Sequence, residues 1–352
     1  MAPKRPQISY VIDPRFPGGT SSAVAEELAV AVQHGAVTVH AVSSAMLKGR
    51  AVAPVLERAL ADMGLRLVWD APAIGGDLVV LHNPGFLKFQ ARLAPRIVAH
   101  RLVVVTHENF SLPSGRPGFD VAGCLRQIDA ASYTAEKLLA PVSPYNRQTV
   151  LAWAAAHTAA ARPWAVAPED WFNICATGAA TATPRPRDRR GRHSRAGLEK
   201  FPPLADLDLA FPASAEMNVI LGADTLMSAG PQRPHWALFP FHGIEIEQYF
   251  EMIDFMVYHT APTLRESFGR VLAEGIAAGK VVVADPDTAQ VFGNGVIPAR
   301  PAEVADVIAR HIEAPTRYAE QVARGRTMLA RFSADRFAQM FARHLAPAEA
   351  AA

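Results

Sequence analysis

Residues 265–279 read RESFGRVLAEGIAAG and run directly into KVVVA at 280–284, with FMVYH just upstream at 255–259. The flanking runs are short and apolar, and the segment between them opens a helix that Gly279 closes. A helix joining two buried runs is a βαβ unit, the building block of a parallel sheet. Free backbone N–H groups at the helix start, around Phe268, Gly269, Arg270 and Val271, favour a bound diphosphate. Glu266 stands just before the helix, where a carboxylate can meet a ligand. Glu274 lies about two turns further on, on a face that can point back along the same edge. Each carboxylate also has a plainer explanation, Glu266 as a helix cap and Glu274 as a solvated surface charge. Gly269 and the small-residue helix end, taken with both carboxylates, favour the ligand site.

Outward from this unit the same rhythm repeats. Apolar runs at 8–12, 37–42, 65–69, 78–81 and 102–106 read as buried strands, with helices at 23–33 and 52–63. The rhythm stops between Pro163 and Pro202, where prolines and the basic run 185–195 read as a linker. It resumes with strands at 217–221, 236–240, 255–259 and 280–284, and 303–345 reads as helical with a break at Pro315. The organisation expected is α/β, two doubly wound domains at 1–165 and 166–325, with 326–352 a helix crossing back to the first. A length of 352 residues suits two domains of about 150–180 residues. Half the residues are hydrophobic and 19% charged, and the net charge of +2 is too mild to imply nucleic acid. Cys124 and Cys175 have no metal-site spacing and suit a reducing compartment. With residues 1–6 polar and no run long enough to span a bilayer, a cytoplasmic protein is expected.

The segment Glu266 to Glu274 resembles the E-x7-E motif of retaining GT-B glycosyltransferases, glycosyltransferase family 4 (glycosyl transferases group 1). The flanking DFMVY at 254–258 and FGNG at 292–295 fit the same pattern. The resemblance implies that Glu266 contacts the transferred sugar and Glu274 the ribose of the nucleotide. Gly191-Arg192-His193-Ser194-Arg195 followed by Lys200 is similar to the family's GR…K element, which implies that Arg192 and Lys200 clamp the donor diphosphate, with Arg195 a spare candidate. Fixed cations suit a leaving group that gathers negative charge. A solvated basic loop is the alternative, since six arginines lie between Arg185 and Arg195. The family has a short apolar strand before the GR pair; here that place reads Arg187-Asp188-Arg189-Arg190, so the strand is missing or shifted.

In the first half, FPGGTSS at 16–22 resembles the family's glycine-rich first loop, where Gly18 and Gly19 let the backbone approach the donor. DLVVLHNP at 77–84 is similar to the family segment whose histidine lies near the reacting sugar carbon. His82, at the carboxyl edge of its strand, takes that part in preference to His107 at the end of the next. Asp285-Pro286-Asp287 resembles a metal-binding D-x-D, but a proline turn explains it and no metal is expected. Asn146 and Arg147 read as helix-capping residues. The stretch 87–101, with Lys88, Arg92, Arg96 and Arg101, reads as a solvated helix, its alternative being peripheral contact with anionic lipid on the inner membrane surface.

The function implied is metal-independent transfer of a sugar, with retention, from a nucleotide-sugar donor to a glycan, lipid-linked or small-molecule acceptor, in polysaccharide or glycoconjugate synthesis. No cofactor is expected beyond the nucleotide-sugar substrate. A catalytically silent glycosyltransferase-like domain is the alternative, kept open by the missing strand before Arg192. A sugar-nucleotide epimerase or a phosphorylase on the same fold is a further one.

Overall fold

The computed structural model describes residues 5–16, 18–90, 92–178, 180–229 and 233–346; Pro17 of the first loop, Ala91, and the end of the 326–352 segment fall outside them. The chain divides into two compact units, Met1–Ile174 with Ala334–Ala352, and Cys175–Ser333. The first unit runs β1 (Gln7–Ile12), α1 (Gly19–His34), β2 (Ala36–Ala41), α2 (Pro54–Asp62), β3 (Leu67–Trp69), β4 (Ala73–His82), β5 (Arg96–Thr106), α3 (Val121–Ala131), β6 (Ser132–Pro141), α4 (Pro144–Ala156), α5 (Thr158–Ala161) and β7 (Ala165–Val166). The second runs β8 (Arg189–His193), α6 (Leu204–Ala210), β9 (Met217–Leu221), α7 (Asp224–Ala229), β10 (Ala237–Phe239), α8 (Ile246–Met252), β11 (Phe255–Tyr258), α9 (Arg270–Ala277), β12 (Val281–Ala284), α10 (Pro286–Ala289), β13 (Ile297–Pro298), α11 (Val304–Glu313) and α12 (Pro315–Leu329). The last helix, α13 (Ala334–Leu345), belongs to the first unit.

The first sheet has the order β3-β2-β1-β4-β5-β6-β7 and the second β10-β9-β8-β11-β12-β13. Every pairing between these strands is parallel. The two orders agree over six strands, β7 being an added edge of the first: the chain winds outward from a central strand, returns, and winds the other way. Each sheet therefore has a switch, β1 beside β4 and β8 beside β11, where connections leave in opposite directions and a crevice opens at the carboxyl ends. The inner strands are rich in β-branched residues and fully buried, as in Val103–Val105 of β5 and Val281–Val283 of β12.

Three sequence expectations are corrected. The strand before Arg192 is not missing: β8 is Arg-Arg-Gly-Arg-His itself and lies in the middle of its sheet. The first two arginines are neutralised by acidic partners, and Arg192 is held by oxygen acceptors. Arg189 pairs with Asp254 at 2.8 Å, and Arg190 with Asp188 at 2.6 Å. Gly191 lets α8 close on this strand, since a Cβ there would lie 2.7 Å from the Tyr249 hydroxyl. The stretch 87–101 is not a helix. Pro95 forbids its continuation, β5 starts at Arg96, and Arg101 is buried against Glu136. The run at 65–69 is not buried, because β3 is the sheet edge and Val68 and Trp69 are exposed.

The closing helix α13 packs on α1. The Trp171 ring meets Phe337 and Phe341 edge-on, and the Arg101 guanidinium donates to the carbonyls of Arg343, His344 and Ala346. A cation at a helix C-terminus meets the negative end of its dipole. Among the described residues no helix is long and apolar enough to cross a membrane.

Candidate functional site

At the switch of the second sheet, β8 delivers Arg192 and His193 and β11 delivers Tyr258 at their carboxyl ends. The Arg192 side chain is fully buried. Its guanidinium lies 4.0 Å from the Phe201 ring centroid and 4.9 Å from that of Tyr258. It donates to the Lys200 carbonyl, to the Ser194 hydroxyl at 3.2 Å and to the His259 carbonyl at 3.3 Å. Arg192 thus pins the backbone of Lys200. The Lys200 ammonium in turn donates to Glu266 Oε1 at 2.6 Å, and the Tyr258 hydroxyl donates to the same oxygen at 2.7 Å. Burial alone would raise the Glu266 carboxyl, but the charge and hydrogen bond of Lys200, with Tyr258, outweigh it and hold the group below its ordinary value. Burial, reinforced by the Glu266 charge, keeps the Tyr258 phenol protonated well above its usual range. The result is an ionised carboxylate and an ammonium held in fixed geometry.

Four residues after Glu266 the helix α9 begins. Gly269 is its N-cap, with φ 88°, a left-handed conformation that side chains avoid and glycine takes freely. Phe268 is buried edge-on against Phe292 and Phe332, which anchors this turn. Arg270 and Val271 open the helix, half-buried. Glu274, one turn on, is 42% exposed at its side chain and 3.5 Å from His193 Nε2. Burial raises the Glu274 carboxyl, with Arg270 working against it. Burial and the neighbouring Arg192 push His193 down to about 3, so its ring is neutral.

In the first unit His82 ends β4 with no exposed side-chain surface. Its Nδ1 lies 2.9 Å from His107 Nε2, and its Nε2 lies 3.3 Å from Glu27 of α1. The Trp171 indole donates to the same Glu27 oxygen at 3.0 Å, and the Tyr10 ring stacks on His82. Anything His82 does to a ligand therefore passes through His107, which is half-buried. Gly18 is the N-cap of α1 and Gly19 its first residue. Asn146 knits the end of β5 to α4, meeting Thr106 Oγ1 at 2.7 Å, while Ser143 is the cap. Asp285 caps α10 and Asp287 pairs with Arg265.

The structure brings Arg192, Lys200 and Glu266 together at one sheet switch, next to Phe268, Gly269, Arg270 and Val271. Arg195 is exposed and paired with Glu199 at 2.8 Å. Sequence reasoning passed over Tyr258, His193 and Glu27. Glu27 carries a readable signal: it interrupts the buried α1 stripe of Val24, Leu28 and Ala31 with a carboxylate.

Two Rossmann-like units of the same six-strand order in one chain define the GT-B fold. Solved structures that share it match nearly the whole chain. The Anabaena protein Alr3699/HepE, solved with UDP and glucose, matches with a TM-score of 0.66 at 16% identity over 97% of this chain and 99% of that one. Sucrose-phosphate synthase from Thermosynechococcus elongatus gives 0.60 at 13% identity over 96% and 98%. An α-glucosyltransferase solved with UDP and a 13-mer DNA gives 0.55 at 12% identity over 97% and 99%. No protein-family model matches the chain, and no curated protein matches it in sequence.

Proposed function

We propose that this chain is a glycosyltransferase that takes a sugar from a nucleoside diphosphate sugar and passes it, with retention, to a glycan, lipid-linked or small-molecule acceptor. The observation that carries the reading is the Lys200–Glu266–Tyr258 contact beside the start of α9, at the switch of the second sheet. A departing diphosphate gathers negative charge, and a preorganised ammonium beside a helix start stabilises that charge without rearranging. In this reading Lys200 meets the diphosphate together with Phe268, Gly269, Arg270 and Val271. Arg192 supports it by holding the Lys200 backbone and adding positive charge. Glu266, kept ionised, accepts hydrogen bonds from the sugar hydroxyls, and Glu274 accepts from the ribose. Gly18, Gly19 and the His82–His107 pair are the ligand-binding candidates of the first unit. The acceptor oxygen attacks from the face the diphosphate leaves, and the departing phosphate takes its proton, so the cations above do the work without a metal. Synthesis of a polysaccharide or glycoconjugate in the cytoplasm is the setting this chemistry suits.

UDP is the first ligand to try, since two of the similar proteins were solved with it. At one hundred times its dissociation constant a bound nucleoside diphosphate adds about 2.7 kcal/mol of stability, read as a higher melting temperature. The gain is expected to survive EDTA. Failure of every nucleoside diphosphate to shift the melt refutes the donor site. Binding without hydrolysis or transfer of any nucleotide-sugar makes the chain a silent binding domain.

A further inference from the structure

Glu27 lies in the middle of α1 with no exposed side-chain surface, among the buried Val24, Leu28 and Ala31. Its Oε2 accepts from the Trp171 indole at 3.0 Å, and its Oε1 has no hydrogen-bond partner. Burying a carboxylate with one oxygen unsatisfied is costly, and a leucine would fill the same apolar stripe without that cost. Burial, reinforced by the Glu27 charge, keeps the Tyr10 phenol protonated well above its usual range. The use of the carboxylate shows two contacts further on. Its Oε2 lies 3.3 Å from His82 Nε2, and His82 Nδ1 lies 2.9 Å from His107 Nε2. A neutral imidazole has one N–H and one lone pair, so where two rings meet nitrogen to nitrogen, one of the two atoms carries the proton and the other does not. A lone pair on His82 Nε2 would be repelled by the carboxylate 3.3 Å away, whereas an N–H is attracted even without an aligned hydrogen bond. Burial strengthens that preference. With Nε2 protonated, His82 Nδ1 is an acceptor, and His107 Nε2 donates across the 2.9 Å contact. The other nitrogen of His107, Nδ1, is then an acceptor too.

We propose that Glu27 is a positioning residue: acting through His82, it holds His107 in the Nε2–H tautomer, so that the first unit meets its ligand with a nitrogen that accepts from hydroxyl groups. The inference rests on His107 as a ligand contact of the first unit. The ligand class that suits it is a sugar or other polyol, whose hydroxyls can donate. Phosphate and carbonyl oxygens would face a lone pair there. The polarity is the reverse of that at Lys200, whose ammonium takes an anion.

Nitrogen NMR of the full chain, labelled at histidine, reads the tautomer directly, because protonated and bare ring nitrogens resonate far apart. The signals that vanish in His107→Gln identify the ring. Wild type is expected to show His107 protonated on Nε2 and bare on Nδ1. Glu27→Gln should show the same, since its amide oxygen can serve both Trp171 and His82. Glu27→Leu puts His82 Nε2 against an apolar wall, where a bare nitrogen costs less than an orphaned N–H. The His82 proton should move to Nδ1, and that of His107 to its own Nδ1 in turn. A merely structural Glu27 would lower the melting temperature in Glu27→Leu and leave the His107 proton where it was. Two probes at high concentration read the consequence at the Nδ1 signal, methyl α-glucoside, which carries hydroxyl donors, and sulfate, which only accepts. Wild type should respond to the glucoside and not to sulfate, and Glu27→Leu should reverse that order. A wild-type His107 protonated on Nδ1, or one unmoved in Glu27→Leu, overturns the inference. An order of response that survives the move of the proton overturns it as well. If Glu27→Leu does not fold, Glu27→Leu with Trp171→Phe, which leaves no indole unpaired, is read in its place. Silence towards both probes in wild type overturns His107 as a ligand contact, while the donor site stands or falls on nucleotide binding alone.

Discussion

At the switch of the first sheet a buried carboxylate, Glu27, sits among an imidazole pair and an indole, His82, His107 and Trp171. At the switch of the second a carboxylate, Glu266, sits among an ammonium, a phenol and a buried guanidinium, from Lys200, Tyr258 and Arg192. The sheets share a six-strand order, so topology supplies the crevice twice and side chains decide its use. Lysine and arginine present fixed cations, whereas an imidazole offers one donor and one acceptor nitrogen. A polyanion suits the second crevice. The first offers ring nitrogens instead.

The contrast breaks first at Lys200. Lys200→Ala is expected to lower transfer by about 100-fold or more, as removal of a transition-state donor does elsewhere. It should weaken nucleoside diphosphates more than monophosphates, and equal losses for both would deny Lys200 its place at the diphosphate. Arg192→Leu strips a fully buried cation from three oxygen acceptors and should cost about 3 kcal/mol of unfolding free energy. Chemical denaturation checks this, and a loss below about 1 kcal/mol would mean that Arg192 does not pin Lys200.

Acid sharpens the comparison next. His193 in the second unit is pushed down from 6.5 to about 3, and His344 in the first to about 4, both chiefly by burial. Below pH 6.5 the unfolded chain takes up protons that these rings refuse in the fold. Each therefore removes stability as pH falls from 6.5 towards its folded value, at about 1.4 kcal/mol per pH unit. Glu266, held low, adds to the loss once pH drops below the ordinary carboxyl range, and Glu274, held high, opposes it. Denaturation midpoints between pH 4 and 7 should fall less steeply in His193→Leu, and parallel curves would reject its buried neutral state.

Glu27→Gln is milder. It keeps an acceptor for Trp171 and should cost about 1 kcal/mol, with UDP affinity unchanged, so a loss of UDP binding would merge the two crevices into one function. Arg195→Ala, at an exposed pair, should change stability by under about 0.5 kcal/mol and leave nucleotide binding alone.

The sequence shows the doubly wound pattern wherever a strand is an unbroken apolar run, as at 217–221 and 280–284, because a strand buried on both faces can hold little else. It hides β8, whose Arg189 and Arg190 are neutralised by Asp254 and Asp188, the former far along the chain. It shows Glu266 and Glu274 through their spacing around a helix start. It hides Tyr258 and His193, since an aromatic at a strand end reads as core until its hydroxyl or ring nitrogen is seen to face a carboxylate. Position 101 misleads for the opposite reason: an arginine there looks solvated, yet carbonyls more than 240 residues later receive it.

That last contact has a bearing on how the molecule is made. The first unit is completed by Ala334–Ala352, so its hydrophobic face around Trp171 stays uncovered while the whole of Cys175–Ser333 leaves the ribosome. The unit translated first is finished last, reversing the usual order in which domains mature during synthesis. A gene shortened after Ser333 would yield an intact second unit attached to a first one lacking its final helix.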